Sequence, residues 1–494
     1  MDAEPATIGK VRSRMRWRWR ILLLLLVSFC GLLIYNAIAI RIAERALISQ
    51  WEGYRKHGDP VTLRDLQQPF VPDDENAIID LQAASLELNK FDFEKLLFEL
   101  RPVLPFTNKE AIQVDNMLKL ATPAMTHLRR AVSKNRVDWR VNTNDPIIDL
   151  LLPRHAKARA LSELAAHSAL QSHLTGDDDN ALKNVRVIQK LGAIVAQHLG
   201  LVSHLVSIGI YAKSTDILRE IVAELKIGDS QNARNVATRA QLQELIGILL
   251  DDKSADDAMD KNYLAERLLV KYSSESATEF AINQINHPKI TRNLIGVVFV
   301  FQQKPLALKD AKDWSIYATE TLSAMHASDY PTAISQKSHA VDSLTRKNNG
   351  MFETIFKHSL AGGIFVNDLE KWISTIFRFR LEKRATAVLL ALRLYAEDHA
   401  GQFPKTLDEL VPQYLPTIPA DPFALGAPSL RYIHSATDPV IYSVGCNGQD
   451  DGGSERAEKP TSSRHVDMMN RLDVVFHYRR PPRDLSDLPP ELLD

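Results

Sequence analysis

The chain has 494 residues, too many for a single hydrophobic core, so two or three domains are expected. Its 60 Lys and Arg nearly balance 61 Asp and Glu, and the formal net charge of -1 excludes a globally basic nucleic-acid-binding surface. A hydrophobic share of 45% excludes extensive disorder, and the two cysteines, Cys30 and Cys446, form neither a zinc-ligand cluster nor a feasible internal disulfide.

At the N-terminus, Lys10, Arg12, Arg14, Arg16, Arg18 and Arg20 precede an apolar run from Ile21 to Ile40, interrupted only by Ser28, Gly31 and Asn36. About twenty helical residues span the roughly 30 Å hydrocarbon layer. Residues 21–40 are therefore predicted to cross a membrane once, with residues 1–20 as a basic cytoplasmic tail and the bulk of the chain outside the cytoplasm. Trp17 and Trp19 sit among the arginines, where aromatic rings favour the headgroup layer. A cleaved signal peptide is the alternative, since Ala37-Ile38-Ala39 fits a small-x-small cleavage site. Against it, the run exceeds the apolar core of about 7–15 residues usual for such peptides.

Residues 41–366 read as an extracytoplasmic helical region. Arg41 to Ser49 is amphipathic and continues the anchor helix; Gly58 and Pro60 stop it; Thr62 and Asp65 start a short helix. A helix then carries Ile78, Ile79, Leu81, Ala84 and Leu86. The clearest unit is a helical hairpin over Arg154 to His198. Its first helix buries Leu161, Leu164, Ala165, Ala169 and Leu170, and its second Leu182, Val185, Ile188, Leu191, Ile194 and Val195, with a Thr175–Asn180 turn between them. The pair is similar to a tetratricopeptide hairpin but shows no 34-residue period, so an irregular, non-repeating array is expected. Asp177–Asp179 and Asp251–Asp257 read as solvated turns. Ser328 to Gly350, polar and turn-rich, reads as the loosest part of the region.

Residues 367–480 read as a small α+β domain. A helix from Leu369 to Ala400 places Ile373, Ile376, Leu381, Ala385, Val388, Leu389, Leu392 and Tyr395 on one face. Thr406-Leu407-Asp408-Glu409 has capping-box spacing and predicts a short helix ending before Pro412. Short strands are expected at Leu430–Ile433, Pro439–Val444 and Leu472–Tyr478. A proline-rich flexible tail occupies residues 481–494.

Ca²⁺ takes six to eight hard oxygen ligands. The loop after Tyr442 offers them from Ser443, Asn447, Gln449, Asp450, Asp451 and Glu455, among glycines that let the backbone curl. An EF-hand-like alternative sets Asn447, Gln449, Asp451, Gly452 and Glu458 at positions 1, 3, 5, 6 and 12 of that template, with Asn where Asp is expected. A third reading makes the Asn-Gly and Asp-Gly steps simple turns between strands. His167/His173 and His198/His204 are six apart and share no helix face at metal-ligand spacing, so they read as structural. No His-Glu-x-x-His, Gly-x-Ser-x-Gly, phosphate-loop or dinucleotide motif is present.

Gln402-Phe403-Pro404-Lys405-Thr406-Leu407-Asp408-Glu409-Leu410, then Asp421-Pro422-Phe423, Ile441-Tyr442-Ser443-Val444-Gly445 and Asn447–Gly453 occur in that order. The series resembles the globular part of the major pseudopilins of type II secretion systems. The resemblance implies a long helix on a small antiparallel sheet, an extracytoplasmic compartment and a Ca²⁺ loop. Its pattern aligns with Ser443, Asn447 and Asp473, and with Asp450 and Asp451 from the loop's own oxygens these make the expected metal residues. Asn447 replaces an acidic residue of the pattern, and an insertion from Glu455 to Arg471 separates Asp473 from the loop. With its Gly58–Leu66 segment, the whole chain resembles a family of bacterial single-pass membrane proteins of no assigned activity. The anchor lies more than about three hundred residues from the sheet, unlike a pilin stalk, so polymerisation is not implied. The expectation is a non-enzymatic binding or scaffold protein of the bacterial inner membrane with a protein partner. A component of a type II secretion or pilus-like machine is the alternative, and an unrecognised hydrolase the second.

Overall fold

The structure, a computed structural model, describes residues 8–66, 68–90, 102–140, 153–228, 235–285, 294–347, 369–454 and 472–481, with a few isolated positions besides. Helices dominate, joined by one small antiparallel sheet. The chain divides into two compact units, residues 1–61 with 267–316 and residues 62–266 with 317–494.

In the first unit, no proline interrupts residues 8–56, and they form one 49-residue helix, α1 (Ile8–Lys56). It is long and apolar enough to cross a membrane, and Leu22 through Val27 are all exposed. Its far end is held differently. Trp51 is buried edge-on to Tyr54, whose hydroxyl donates to the Ser315 carbonyl (3.0 Å). The Arg267 guanidinium lies 3.9 Å from the centre of the Tyr54 ring and pairs with Asp59 (3.0 Å). Gly58, at φ +85°, ends the helix as expected, because a side chain there would be strained.

In the second unit, the Thr62 N–H donates to Asp65 and the Asp65 N–H donates back to Thr62 Oγ1 (2.8 and 3.3 Å), starting the short turn Leu63–Leu66. Asn76, fully buried, caps α2 (Ala77–Leu88). The buried stripe of α2 runs through Ala77, Ile78, Leu81, Ala84 and Leu88. That three-and-four spacing turns Ile79 (37% exposed) and Leu86 (65%) outward. Helices α3 (Asn108–Leu120) and α4 (Thr122–Ser133) follow.

The hairpin forms as α5 (Pro153–Leu174) and α6 (Asp178–Ala196), and every core residue expected of it is buried. Its turn is less solvated than the sequence suggests. Asp177 caps α6, but Asp178 is only 1% exposed and accepts from His173 Nδ1 (2.5 Å) and the Lys226 N–H (2.8 Å). Helix α7 (Leu201–Ile221) packs on both members. A two-residue parallel pair, β1 (Ile227–Gly228) and β2 (Ala237–Thr238), leads to α8 (Arg239–Leu250); α9 (Lys253–Ile285) and α10 (Leu294–Met325) come next, of which residues 253–266 and 317–325 belong to this unit.

Two expected loose segments are ordered by specific charges. Residues 251–256 receive the helix α12 (Leu369–Asp398): Arg384 and Lys383 pair with Asp252 (2.8 and 3.3 Å), and Arg380 pairs with Asp256 (2.8 Å). Residues 330–347 form a helix, α11 (Tyr330–Lys347), whose start is fixed by the buried Asp329 accepting from the Thr332 N–H (2.9 Å). Every residue expected on the apolar face of α12 is buried. So are Phe377, Phe379, Leu390 and Leu394, so this helix is covered on more than one side. It packs on the antiparallel sheet β3 (Arg431–Ile433), β4 (Val440–Ser443), β5 (Val474–His477), with β4 central and Ile441 opposite Phe476. All three strands lie where their sequence predicts.

Candidate functional site

The expected metal residues gather at the end of β4. Ser443 is the last residue of that strand and pairs with Val474 of β5, which brings the neighbouring Asp473 alongside. Both Ser443 and Asp473 are fully buried. The loop between them turns through Gly445, Gly448, Gly452 and Gly453, all at positive φ.

The carboxylates of this loop accept from protein donors. Asp473 takes the backbone N–H groups of Gly453 (2.7 Å), Ser454 (3.3 Å) and Asp451 (3.4 Å), closing the loop on itself. Asp450 accepts from Arg431 Nε (2.8 Å), the Gly452 N–H (3.1 Å) and the Tyr442 hydroxyl (3.2 Å). The Gly452 N–H, with Arg431 beside it, holds the Asp450 carboxyl below the ordinary carboxylate range. Asn447 donates to Asp451 (2.8 Å) and accepts the Gln449 N–H (3.0 Å), an Asx turn.

At the centre lies a residue the sequence reading did not assign to the site. Asp421 is fully buried: Oδ1 accepts from the Ser443 hydroxyl (2.6 Å) and the Phe423 N–H (3.0 Å), and Oδ2 from the Val444 N–H (3.0 Å) and Arg431 (3.4 Å). Phe423 seats the same turn in an aromatic cluster, 5.2 Å from Tyr330 and 6.4 Å from Phe377. Arg384 of α12 donates to the Ala420 carbonyl (2.9 Å). Helix, turn and sheet thus meet at one carboxylate. Asp-Pro-Phe was visible as a motif; that its aspartate turns inward depends on contacts with Phe377 and Ser443, which no local pattern reports.

In this geometry the acceptors of the loop are turned to protein donors. A cation needs converging lone pairs, whereas the lone pairs of Asp421, Asp450 and Asp473 are aimed at N–H and O–H groups. The Arg431 guanidinium already bridges Asp421 and Asp450, supplying positive charge between two carboxylates. Among the described residues no group of three His, Cys, Asp or Glu is placed to share an ion. Glu455, Glu458 and the insertion up to Arg471 lie outside the described residues, as does most of the tail 481–494.

No protein family, curated protein or solved structure matches this chain. The likeness to pseudopilins therefore rests on the motif residues alone.

Away from this loop, three of the four histidines singled out in sequence pairs lie buried in the helical region, as does a fourth, His155. His167 and His204 are buried, and burial pushes both down to about 4, so they stay neutral at ordinary pH. His155 and His198 both contact the Ser203 hydroxyl (3.1 and 2.9 Å) in a buried cluster.

Proposed function

We propose that the protein is a membrane-anchored binding or scaffold protein without catalytic activity. It spans the bacterial inner membrane once, N-terminus inside, and presents its helical body and C-terminal sheet to a protein partner outside the cytoplasm. The observation that carries this reading is helix α1. Its most apolar window has a mean hydropathy of 2.5 and is only 6% buried, so protein packing does not account for its apolar surface. At 1.5 Å per residue its 49 residues extend roughly 70 Å, more than twice the hydrocarbon thickness. The helix runs unbroken through Ala37-Ile38-Ala39 and ends in the Trp51, Tyr54 and Asp59 contacts, which supports a retained anchor over a removed leader. The six cations preceding the run support the orientation. The hydrogen-bonded closure of the β4–β5 loop supports a structural role for its carboxylates.

Fusions of the full chain at its C-terminus test this in bacterial cells. Alkaline phosphatase should be active and a cytoplasm-only fluorescent protein dark, and the chain should stay in the membrane fraction after an alkaline carbonate wash. A bright cytoplasmic fusion would overturn the orientation, and release by carbonate the anchor.

A further inference from the structure

Within the second unit, a cavity of ≈ 370 Å³ lies among α6, α7, the start of α9 and α12. Its size is at the lower end of small-molecule sites, about 300–1,000 Å³. It meets solvent at the α8–α9 turn, where Asp251 and Ser254 line it and are exposed.

Two lining side chains have buried polar atoms without a partner. Gln189 is 2% exposed and its Nε2 makes no hydrogen bond; His204 is 5% exposed and its Nδ1 makes none. The orientation of the Gln189 amide is fixed chemically: Arg186, which has only donors, contacts Oε1 (2.9 Å), leaving the NH₂ group as the unmet end. Buried donors are almost always satisfied, so two unmet groups on the wall of one cavity point to a missing partner.

The charges of the wall are already answered. Lys383 donates to the Asp251 carbonyl (2.8 Å) and to Asp252 (3.3 Å), and the Asp251 carboxylate accepts from the Ser254 hydroxyl (2.6 Å) and N–H (3.2 Å). Burial keeps His204 uncharged despite Asp256 nearby. A charged guest would lose hydration and gain no counter-ion. The remaining wall is largely apolar, including Ala193 and Phe379. Tyr211 completes it by lying directly against Gly192 of α6, where an added Cβ would come within 2.9 Å of the ring.

We propose that this cavity binds a small, uncharged organic molecule bearing a carbonyl oxygen, with Gln189 donating to that oxygen and His204 making the second hydrogen bond. The inference is independent of how the chain sits in a membrane. Ligand-observed ¹⁹F NMR on the full chain in detergent tests it, with protein-free micelles as the blank. The probes are 4-fluoroacetanilide, uncharged, and the charged 4-fluorobenzoate and 4-fluorobenzylammonium. The neutral probe should bind saturably with a dissociation constant of about a millimolar, and the charged probes more weakly. Gln189→Leu removes the donor and Ala193→Met fills the space; each should weaken binding at least about fivefold. Equal binding of charged and neutral probes, no saturation above the micelle blank, or undiminished binding in folded Gln189→Leu and Ala193→Met would overturn the proposal. The comparison of probes needs no variant, so it decides even if both substitutions unfold the chain.

Discussion

Replacing Asp421 by Asn keeps the shape of the side chain and removes its ability to accept on both oxygens. The four donors aimed at it are the Ser443 hydroxyl, the Phe423 and Val444 N–H groups, and Arg431. Whichever way the amide is turned, its NH₂ group faces a backbone N–H: that of Val444 on one side or that of Phe423 on the other. One buried donor is therefore orphaned in either orientation, at a cost of about 1–3 kcal/mol. Arg431 loses less, because Asp450 still holds it at 2.8 Å. Ser443→Ala leaves Asp421 three other donors but also strips the buried Gly445 N–H of its acceptor (3.2 Å), so it should cost about 1–2 kcal/mol while the Phe423 and Val444 bonds to Asp421 stay in place. Global unfolding of a chain with two compact units is not two-state, and a local probe is required. Native-state hydrogen exchange supplies it: the Val444 and Phe423 amides should exchange roughly 5–150-fold faster in Asp421→Asn than in the parent, and less so in Ser443→Ala. Unchanged exchange at both amides in Asp421→Asn would mean that this carboxylate does not organise the turn.

Three further outcomes follow from the geometry. The folded His167 and His204 are held near 4, against 6.5 in the unfolded chain, where Lys213, Glu110 and Asp256 no longer bear on them. Below about pH 6.5 the unfolded chain gains protons that the folded chain refuses. Stability should thus be full above that pH and fall as the pH drops toward 4, by on the order of 3 kcal/mol per histidine. Native-state hydrogen-exchange protection of the α5 and α7 core amides, corrected for intrinsic exchange, should fall from pH 7 to 5, and His204→Gln should flatten the slope; pH-independent protection would contradict this. Gly192→Ala should destabilise by roughly 1–3 kcal/mol through the Tyr211 ring, while Gly247→Ala, with open space around it, should stabilise by up to about 1 kcal/mol, both read by native-state hydrogen exchange of the α6 and α8 amides. Finally, millimolar Ca²⁺ against EDTA should leave the thermal midpoint of the full chain unchanged; an upward shift would show that the β4–β5 loop admits the ion after all.

Where local pattern decides structure, the sequence was legible. The hairpin α5–α6 needed only apolar residues at three and four spacing. The Gly58 stop, the Thr62–Asp65 start and the three strands needed only short-range chemistry. The failures share another cause. Asp251–Asp257 reads as a solvated break because its partners Arg380, Lys383 and Arg384 lie more than a hundred residues away. Ser328–Gly350 reads as loose, yet Asp329 accepts from Gly426 and the Tyr330 N–H donates to the Pro422 carbonyl (2.8 Å), contacts no window of sequence contains; residues 348–350 lie outside the described residues. Gln189 and His204 fall at ordinary helical positions; only the folded arrangement leaves them without partners on one cavity wall.

Acidic turns were the most ambiguous signal, and their outcome has one physical basis. Asp178, Asp329, Asp421 and Asp473 are each at most 2% exposed. Each accepts backbone N–H groups from a segment well separated in sequence: Asp178 from Lys226, Asp329 from Gly426, Asp421 from Val444 and Asp473 from Gly453. A carboxylate presents about four lone-pair sites, more than any neutral side chain, and bonds to a charged acceptor are worth roughly twice a neutral pair. A short loop with several unsatisfied N–H groups is therefore closed more effectively by one buried aspartate than by water or hydroxyls. The same lone pairs would serve a cation, which is why composition alone reads such loops as metal sites. What separates the two outcomes is where the positive charge comes from. Near Asp421 and Asp450 positive charge comes from Arg431 on the neighbouring strand, so the chain itself supplies a counter-charge there.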